Sequence, residues 1–314
     1  MANPKILVTG SGGQIGTVLV ASLRSKYGQD QVIASDLKIK GDIPLFEQLD
    51  ITNTDALDAV IKKHRITEIY HLAALLSSKG EQNIHLTWNI NLLSYIKLLD
   101  IAKANGVKKI FFPSTIGIYG ESTPKQMTKQ HASFEPETMY GITKYTGELW
   151  NAYYNKKFGM DIRSIRYPGV ISYESRPTGG TTDYAVDIYF EALEKGHYES
   201  YLSKDTQLPM IYMPDVIKAT LDLMDAPHDS LTINMGYNLA GFNVTPQLIT
   251  TEIQKHIPSF QISYKPDHRQ DIADSWTESI DDSYARNDWN WKPKYNLQTV
   301  TIDMLQNIPL LKNS

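Results

Sequence analysis

The sequence predicts an α/β fold, a doubly wound parallel sheet with a smaller C-terminal lobe, and three observations carry that reading. Apolar runs of strand length alternate with amphipathic helical stretches from Lys5 to Gly169. The first strand, Lys5-Ile-Leu-Val-Thr9, runs straight into the glycine-rich segment Gly10-Ser-Gly-Gly-Gln-Ile-Gly16 and then into a helix. Past residue 170 the pattern breaks into short pieces, as expected of a lobe built on the sheet's output. The expected division is therefore 1–169 and 170–314, with later segments free to return to the first domain.

Lys5–Thr9 is a continuous apolar run of the kind a parallel sheet buries on both faces. The helix after it begins near Gln14, with Ile15, Val18, Leu19 and Leu23 at helical spacing. Between them, a phosphate would find backbone N–H donors and the positive end of a helix dipole, with no side chain to hold it off. The spacing is Gly10-x-x-Gly13-x-x-Gly16. Ile15 breaks the alternative G-x-G-x-x-G, and the missing Gly-Lys-Ser/Thr excludes a Walker loop. This spacing resembles that of the extended short-chain dehydrogenases/reductases, and the likeness extends over essentially the whole chain. It implies a Rossmann fold that holds NAD, with Gly10, Gly13, Gln14, Ile15 and Gly16 against the cofactor.

Val32-Ile-Ala-Ser35 is the second strand, and Asp36 ends it twenty residues past Gly16. A carboxylate there can accept both ribose hydroxyls of the adenosine half and repels a 2′-phosphate, which favours NAD over NADP. Lys38 and Lys40 soften that preference without reversing it. Asp50-Ile51 precedes a helix with Leu57, Val60 and Ile61 on one face. The family resemblance implies that this pair contacts adenine, while a helix cap at Asp50 stays equally open. Glu68-Ile-Tyr-His-Leu-Ala-Ala74 is a further strand with its exit turn. His71, Ala73 and Ala74 resemble the family's His-x-Ala-Ala, which implies that Leu72, Ala73 and Ala74 let the cofactor lie on the backbone; His71 itself reads as a packed structural residue.

Leu75 to His85 reads as a polar loop at a strand's carboxyl end, where open α/β sheets place ligands. Ser77 and Ser78 are substrate-contact candidates, with Ser77 favoured by family position. The next helix carries Trp88, Asn91, Leu92, Tyr95, Leu98, Leu99 and Ala102 and ends at Asn105-Gly106. Asn91 stands among apolar neighbours and needs partners. The resemblance implies that it orders the cofactor site.

Lys109–Thr115 is the fifth strand, and it delivers two hydroxyls at its carboxyl end. Ser114-Thr115-Ile-Gly-Ile-Tyr119-Gly120 resembles the family's Ser/Thr-rich strand end, which puts Thr115 at the catalytic hydroxyl position. Twenty-five residues on, Tyr140-Gly-Ile-Thr-Lys144 sets a phenol and an ammonium at i, i+4 on one helix face. A phenol with an unperturbed pKa of about 10 is no base near neutrality, but a neighbouring ammonium and a positive nicotinamide both favour the phenolate. Tyr140 can then take a proton from a substrate hydroxyl as hydride leaves the same carbon. Thr115 would hold that oxygen in line. Ile162–Gly169 is the sixth strand. Tyr167 is expected beside the nicotinamide, with a Pro-Gly turn leaving the sheet as the plainer reading.

In the second half, Arg176 to Ala185 is a glycine- and hydroxyl-rich loop that leads into a helix running to about Lys195, with Asp183 as its possible cap. Gly180 and Thr181 offer donors for a carboxylate, Arg176 less directly. Strands are expected over Met210–Met213 and Leu231–Met235, and helices from Pro214-Asp215 to Met224, from Thr245-Pro246, over Asp281–Asn287 and from Gln298. Trp276 is either a lid over the site or a core tryptophan. Tyr167-Pro-Gly-Val-Ile-Ser, Gly179–Ala185, Leu208–Met213 and Asp274-Ser-Trp276 resemble the members of the family that oxidise L-threonine. The resemblance implies hydride transfer from the 3-hydroxyl carbon of L-threonine to NAD, giving 2-amino-3-oxobutyrate. A nucleotide-sugar 4-epimerase or dehydratase on the same scaffold is the alternative. A redox-sensing binding protein is the non-enzymatic one, against which Tyr140 and Lys144 both speak. The family also pairs the helices around Trp88–Ala102 and Met139–Tyr154 into a bundle, which implies a homodimer.

Composition bounds the rest. At 314 residues the chain can bury a large core, and a formal net charge of −4 offers no basic footprint for nucleic acid. The absence of cysteine removes disulfides, thiolate metal sites and thiol nucleophiles together, and the eight histidines lack metal-ligand spacing, so no metal is expected. No apolar run reaches membrane-spanning length, and the first strand begins at Lys5, which leads to the expectation of a cytoplasmic protein with a small-molecule substrate.

Overall fold

The structure is a computed structural model and describes residues 3–38, 43–174, 176 and 180–311, the side chain of Ser78 excepted. In chain order the first half contains β1 (Ile6–Thr9), α1 (Gln14–Tyr27), β2 (Val32–Asp36), β3 (Phe46–Gln48), α2 (Thr54–His64), β4 (Glu68–His71), α3 (Ser77–Gln82), α4 (Ile84–Trp88), α5 (Ser94–Ala104), β5 (Lys109–Thr115), α6 (Met139–Phe158) and β6 (Asp161–Tyr167). There follow β7 (Gly169–Ile171), α7 (Tyr184–Lys195), β8 (His197–Ser200), β9 (Leu208–Tyr212), α8 (Met213–Asp225), β10 (Gly236–Asn238), β11 (Phe242–Val244), α9 (Pro246–Gln254), β12 (Gln261–Tyr264), α10 (Arg269–Ser275), α11 (Ser283–Trp289) and α12 (Leu297–Leu311).

Seven strands form the main sheet in the order β10-β6-β5-β4-β1-β2-β3, the expected Rossmann arrangement. β1 pairs in parallel with β2 on one side and β4 on the other, with Thr9 level with Ser35 and His71. The chain order therefore reverses at β1, and a doubly wound sheet binds its ligand in the crevice that such a reversal opens at the carboxyl ends. Leu7, Ile33, Ile69 and Ile110 from the strands meet Leu57 and Ile61 of α2 and Leu98 and Leu99 of α5 in one fully buried cluster. That burial holds the strand ends rigid beneath the site.

The helix ends follow local chemistry. Asn53 caps α2 by accepting from the Ala56 N–H at 3.1 Å, and Thr138 caps α6 by accepting from the Gly141 N–H at 3.0 Å. Gly159, at φ 65°, ends α6 in the left-handed conformation. Thr245 caps α9 at 3.1 Å with Pro246 in its first turn, as expected.

The chain forms two compact units, one comprising Met1–Thr115, Thr138–Arg166 and Ile217–Tyr237, the other Ile116–Glu137, Tyr167–Val216 and Asn238–Ser314. Two expectations need correcting. The segment Leu75–His85 is not a loop but holds α3 and the start of α4. Asn83 breaks the helix between them and caps α4, its side chain accepting from the Leu86 N–H at 3.0 Å. The stretch Leu231–Met235 is not a strand, because the N–H groups of Thr232 and Ile233 donate to the Tyr237 phenol at 3.1 and 3.3 Å. Pairing starts instead at Gly236. In the second unit β9 lies between β7 and β11, and β8 pairs with β12.

Candidate active site

The turn from β1 into α1 is shaped by its glycines. Gly10 has φ +70°, and a Cβ on it would lie 2.6 Å from the Ala73 nitrogen, so only glycine lets this turn rest on the exit from β4. A Cβ on Gly16 would lie 2.3 Å from the Gly10 carbonyl oxygen, so α1 starts hard against the turn. Gly13 differs: within 4 Å, a Cβ there would meet the Gly10 carbonyl oxygen alone, at 3.3 Å. The chain itself hardly needs glycine at that position, whereas a ligand lying across the turn does. No acidic residue occupies the first turn of α1 to neutralise its positive end.

One cleft gathers most of the expected cofactor residues. Gly10, Gly13, Asp36, Asp50, Ile51, Leu72, Ala73 and Ala74 line it, together with Thr9, Ser35, Leu37, Leu49, Leu75 and Ile90, which sequence reasoning had not singled out. The Asp36 carboxylate is held by the N–H groups of Gly12 at 2.9 Å and Leu37 at 2.7 Å, leaving lone pairs on both oxygens for a pair of vicinal hydroxyls. Asp50 accepts from the Thr52 N–H and hydroxyl at 2.9 and 2.8 Å. Asn53 being the cap of α2, Asp50 is free of that role. Gln14, Ile15 and Gly16 form the first turn of α1 and stand outside the cleft lining. Lys38 is exposed, and Lys40 lies outside the described residues. Bare glycine backbone at a helix start, an acid at the next strand end and an apolar slot between β2 and β4 together fit a dinucleotide.

The reactive groups sit at the end of β5 and on α6. Tyr140 and Lys144 occupy successive turns of α6, with the ammonium 5.7 Å from the phenol ring centre. Tyr140 is hydrogen-bonded to the Thr115 side chain. Lys144 is 4% exposed, donates to the Pro113 carbonyl at 2.7 Å and lies 4.7 Å from the centre of the Phe112 ring. Burial pushes the Lys144 ammonium down to about 7. Burial also pushes the Tyr140 phenol up to about 12, against the opposing pull of the Thr115 hydrogen bond. The expected acidic phenol is thus not a property of the chain alone. Desolvation of the phenol outweighs its neighbours, and Lys144 is occupied by a carbonyl that acts through the backbone and leaves no trace in the residue type.

Two neighbours support this pair. Asn91, 2% exposed and in a π-helical segment over Asn89–Leu93, accepts from the Leu75 N–H at 2.8 Å and donates to the Leu75 carbonyl at 2.9 Å and to the Thr143 hydroxyl at 3.4 Å. These bonds tie Asn91 to the cleft wall at Leu75 and to α6, and Thr143 joins it as a residue sequence reasoning missed. His71 is bonded to the Thr9 hydroxyl at 2.9 Å through Nδ1 and stacks on Tyr95 at 5.1 Å. Burial first, then the Lys144 charge, pushes it down to about 3, so it stays neutral and structural. Ser77 is buried at the first position of α3.

The second unit holds the remaining candidates. Tyr167, 5% exposed, ends β6. Gly180 does not offer its N–H to a carboxylate as expected, because that group already donates to Asp183 at 2.5 Å. Its carbonyl and that of Thr181 accept from the Tyr201 phenol at 3.2 and 3.4 Å. Thr181 is 2% exposed, and its hydroxyl finds no partner among the described residues. Arg176 is committed to Glu194 and Glu191. Trp276 is packed at 6% exposure directly after α10. Gly179 lies outside the described residues. Among the described residues there is no cluster of metal-ligating side chains, and no helix is long and apolar enough to cross a membrane.

Comparison with known proteins gives a consistent picture. Residues 6–239 match the NAD dependent epimerase/dehydratase family. An uncharacterized epimerase/dehydratase of Staphylococcus haemolyticus is 46% identical over 310 residues, 97% of each chain. Among solved structures, a GalE-like L-threonine dehydrogenase from Cupriavidus necator in its holo form is 45% identical, with a TM-score of 0.95 over 97% of this chain and 100% of that one. A monomeric L-threonine 3-dehydrogenase from a metagenome is 46% identical, with a TM-score of 0.95 over 98% of this chain and 99% of that one.

Proposed function

We propose that this chain, which belongs to the NAD dependent epimerase/dehydratase family, oxidises the 3-hydroxyl of L-threonine to 2-amino-3-oxobutyrate. It is an NAD-dependent enzyme, and NAD is its cofactor. The substrate reading rests on one observation: the likeness to structures named L-threonine dehydrogenase runs over 97–98% of the chain at 45–46% identity, and so spans both units.

Gly10 and Gly13, in the turn that Gly16 lets pack against α1, would hold the diphosphate, Asp36 the adenosine ribose and Ala73 and Ala74 one face of the cofactor. When bound, NAD supplies a hydride acceptor and, at the nicotinamide, a positive charge. Thr115 and Tyr140 share the substrate hydroxyl, Thr115 orienting it and Tyr140 taking its proton in the transition state. A phenol at about 12 in the chain alone is almost wholly protonated at neutral pH, and positive charge gathering near it lowers that value and raises the share of phenolate. The proton is thus removed when the hydride acceptor is in place. Lys144 keeps the β5 end and α6 together and adds charge at neutral and lower pH. The Thr181 hydroxyl, without a partner among the described residues, is the donor proposed for the substrate carboxylate, and Ser77 a further contact; Tyr167 is proposed for the nicotinamide end.

The test is spectrophotometric. With L-threonine and NAD, the protein should form NADH far in excess of enzyme. A 4-epimerase or dehydratase, which returns its hydride each cycle, would instead hold any NADH at or below one equivalent. The family reading also carries a homodimer, supported by exposed Ile142, Leu149 and Tyr153 on α6 and Leu86 and Trp88 on α4. A monomeric mass in light scattering would reject it. A cytoplasmic location is proposed with it, to be checked by cell fractionation.

A further inference from the structure

Below the reactive pair, α6 makes three separate contacts with three consecutive residues of β5. Lys144 bonds the Pro113 carbonyl at 2.7 Å, Tyr140 bonds Thr115, and Glu148 accepts from the Ser114 hydroxyl at 2.5 Å. Phe112 and Ser114, two apart on the strand, both turn toward α6. Helix and strand lie close, since a Cβ on Gly147 would fall 2.5 Å from the Phe112 ring. Glu148 is fully buried and Arg166 is 1% exposed. The guanidinium holds both carboxylate oxygens, Nε at 3.0 and 3.2 Å and Nη2 at 2.7 Å. Gly236 of β10 presses on the same pair, for a Cβ there would lie 2.5 Å from Glu148 Oε1 and 2.9 Å from Arg166 Cγ.

A buried ion pair is weak evidence for stability, because desolvation consumes most of the attraction, so it invites a search for what it fixes. Here the fixed, two-point guanidinium grip sets the direction of a carboxylate whose remaining acceptor capacity is spent on Ser114, next to Thr115. We propose that Glu148 and Arg166 are positioning residues for the reaction: through Ser114 they fix the end of β5 so that the Thr115 hydroxyl stays on the Tyr140 phenol. The proposal rests on the reading of Tyr140 as the base. It gives Ser114, which the sequence offers beside Thr115 without a task, a defined role.

Ser114→Ala is the direct test, since it removes one hydroxyl and leaves the ion pair intact. The expected result is a fall in kcat of about tenfold to a hundredfold, as for a small misplacement of a reacting group. The KM for L-threonine and for NAD should stay within about twofold. Because the Thr115 hydrogen bond lowers the phenol's pKa, loosening it should also move the rise of kcat to higher pH, which a purely structural residue would not do. A crystal structure of Ser114→Ala should show the Thr115 Oγ1 to Tyr140 Oη contact lengthened or lost, whatever the substrate. Glu148→Gln should reproduce the kinetic change, and if it fails to fold, Ser114→Ala decides alone. Unchanged kcat, pH profile and Thr115–Tyr140 contact in Ser114→Ala overturn the proposal, as does a loss of thermal stability with kinetics intact. A wild-type protein that does not oxidise L-threonine refutes the functional reading instead, and the crystallographic arm still tests the positioning.

Discussion

Replacing Gly13 with alanine should weaken NAD binding while sparing the fold, whereas the same change at Gly16 should damage both. At Gly16 the new methyl would sit 2.3 Å from the Gly10 carbonyl oxygen and 2.8 Å from Ser11 Cα, both backbone atoms, so the turn or α1 must shift. Overpacking of this kind costs about 1–3 kcal/mol, or several degrees of thermal midpoint at about 2–4 °C per kcal/mol for a chain of this size class. At Gly13 the methyl would meet one atom at 3.3 Å, and the backbone is extended at φ −79°, ψ 174°, which any residue adopts. The cost there is about 1 kcal/mol or less, the preference for glycine over alanine at a helix N-cap. If the free side of Gly13 is where the diphosphate lies, the methyl removes the equivalent of one charge-assisted hydrogen bond, about 1.5–3 kcal/mol, or about 10- to 150-fold in Kd. Thermal melts with and without NAD, together with calorimetric titration, separate the two effects. Wild-type NAD affinity in Gly13→Ala, or equal destabilisation by both variants, would refute the assignment of the cradle.

Three further outcomes follow from the same geometry. Thr181→Val should raise the KM for L-threonine about tenfold with little change for NAD, and raise the melting temperature slightly, because it removes a buried hydroxyl that no group among the described residues satisfies; an unchanged KM would exclude Thr181 from the substrate site. Asp36→Ala should shift the ratio of NADP to NAD affinity upward by at least about tenfold in titrations, since the repelling carboxylate and its hydrogen bonds go together. With the phenol raised to about 12, the neutral form dominates at pH 7 and the base form grows with pH. Thus kcat/KM for L-threonine at saturating NAD, which reports the NAD-bound enzyme, should rise with pH above neutrality, with a slope of at most about tenfold per pH unit. A flat profile from pH 7 to pH 10 would contradict Tyr140 as the base.

The sheet and its cleft were legible because β1, β2, β4, β5 and β6 are buried on both faces and their apolar runs stand out. The glycine spacing and Asp36 likewise act through backbone conformation and charge, which residue types report directly. Other features depend on which of several candidate groups takes a given hydrogen bond. Asp50 as cap or cleft residue was undecidable until Asn53 was seen to take the cap. The Gly180 N–H looks available in sequence and is consumed by Asp183. Segment Leu75–His85 has little apolar periodicity, and its helices depend on Asn83 and on α6 beside them. In the second unit, three- and four-residue strands such as β8, β11 and β12 are too short to show a period. The opposed shifts of Tyr140 and Lys144 follow from depth of burial, which an i, i+4 spacing does not report.

The account stands or falls on the Tyr140 phenol, and the most direct measurement is NADH formation from L-threonine by Tyr140→Phe beside the wild type, with NAD affinity titrated on both. The account predicts that the wild type turns over many times, that the variant binds NAD within a few-fold of it, and that turnover falls by about 10²- to 10⁴-fold, the usual contribution of a general base. A Tyr140→Phe protein that makes NADH at the wild-type rate would contradict it.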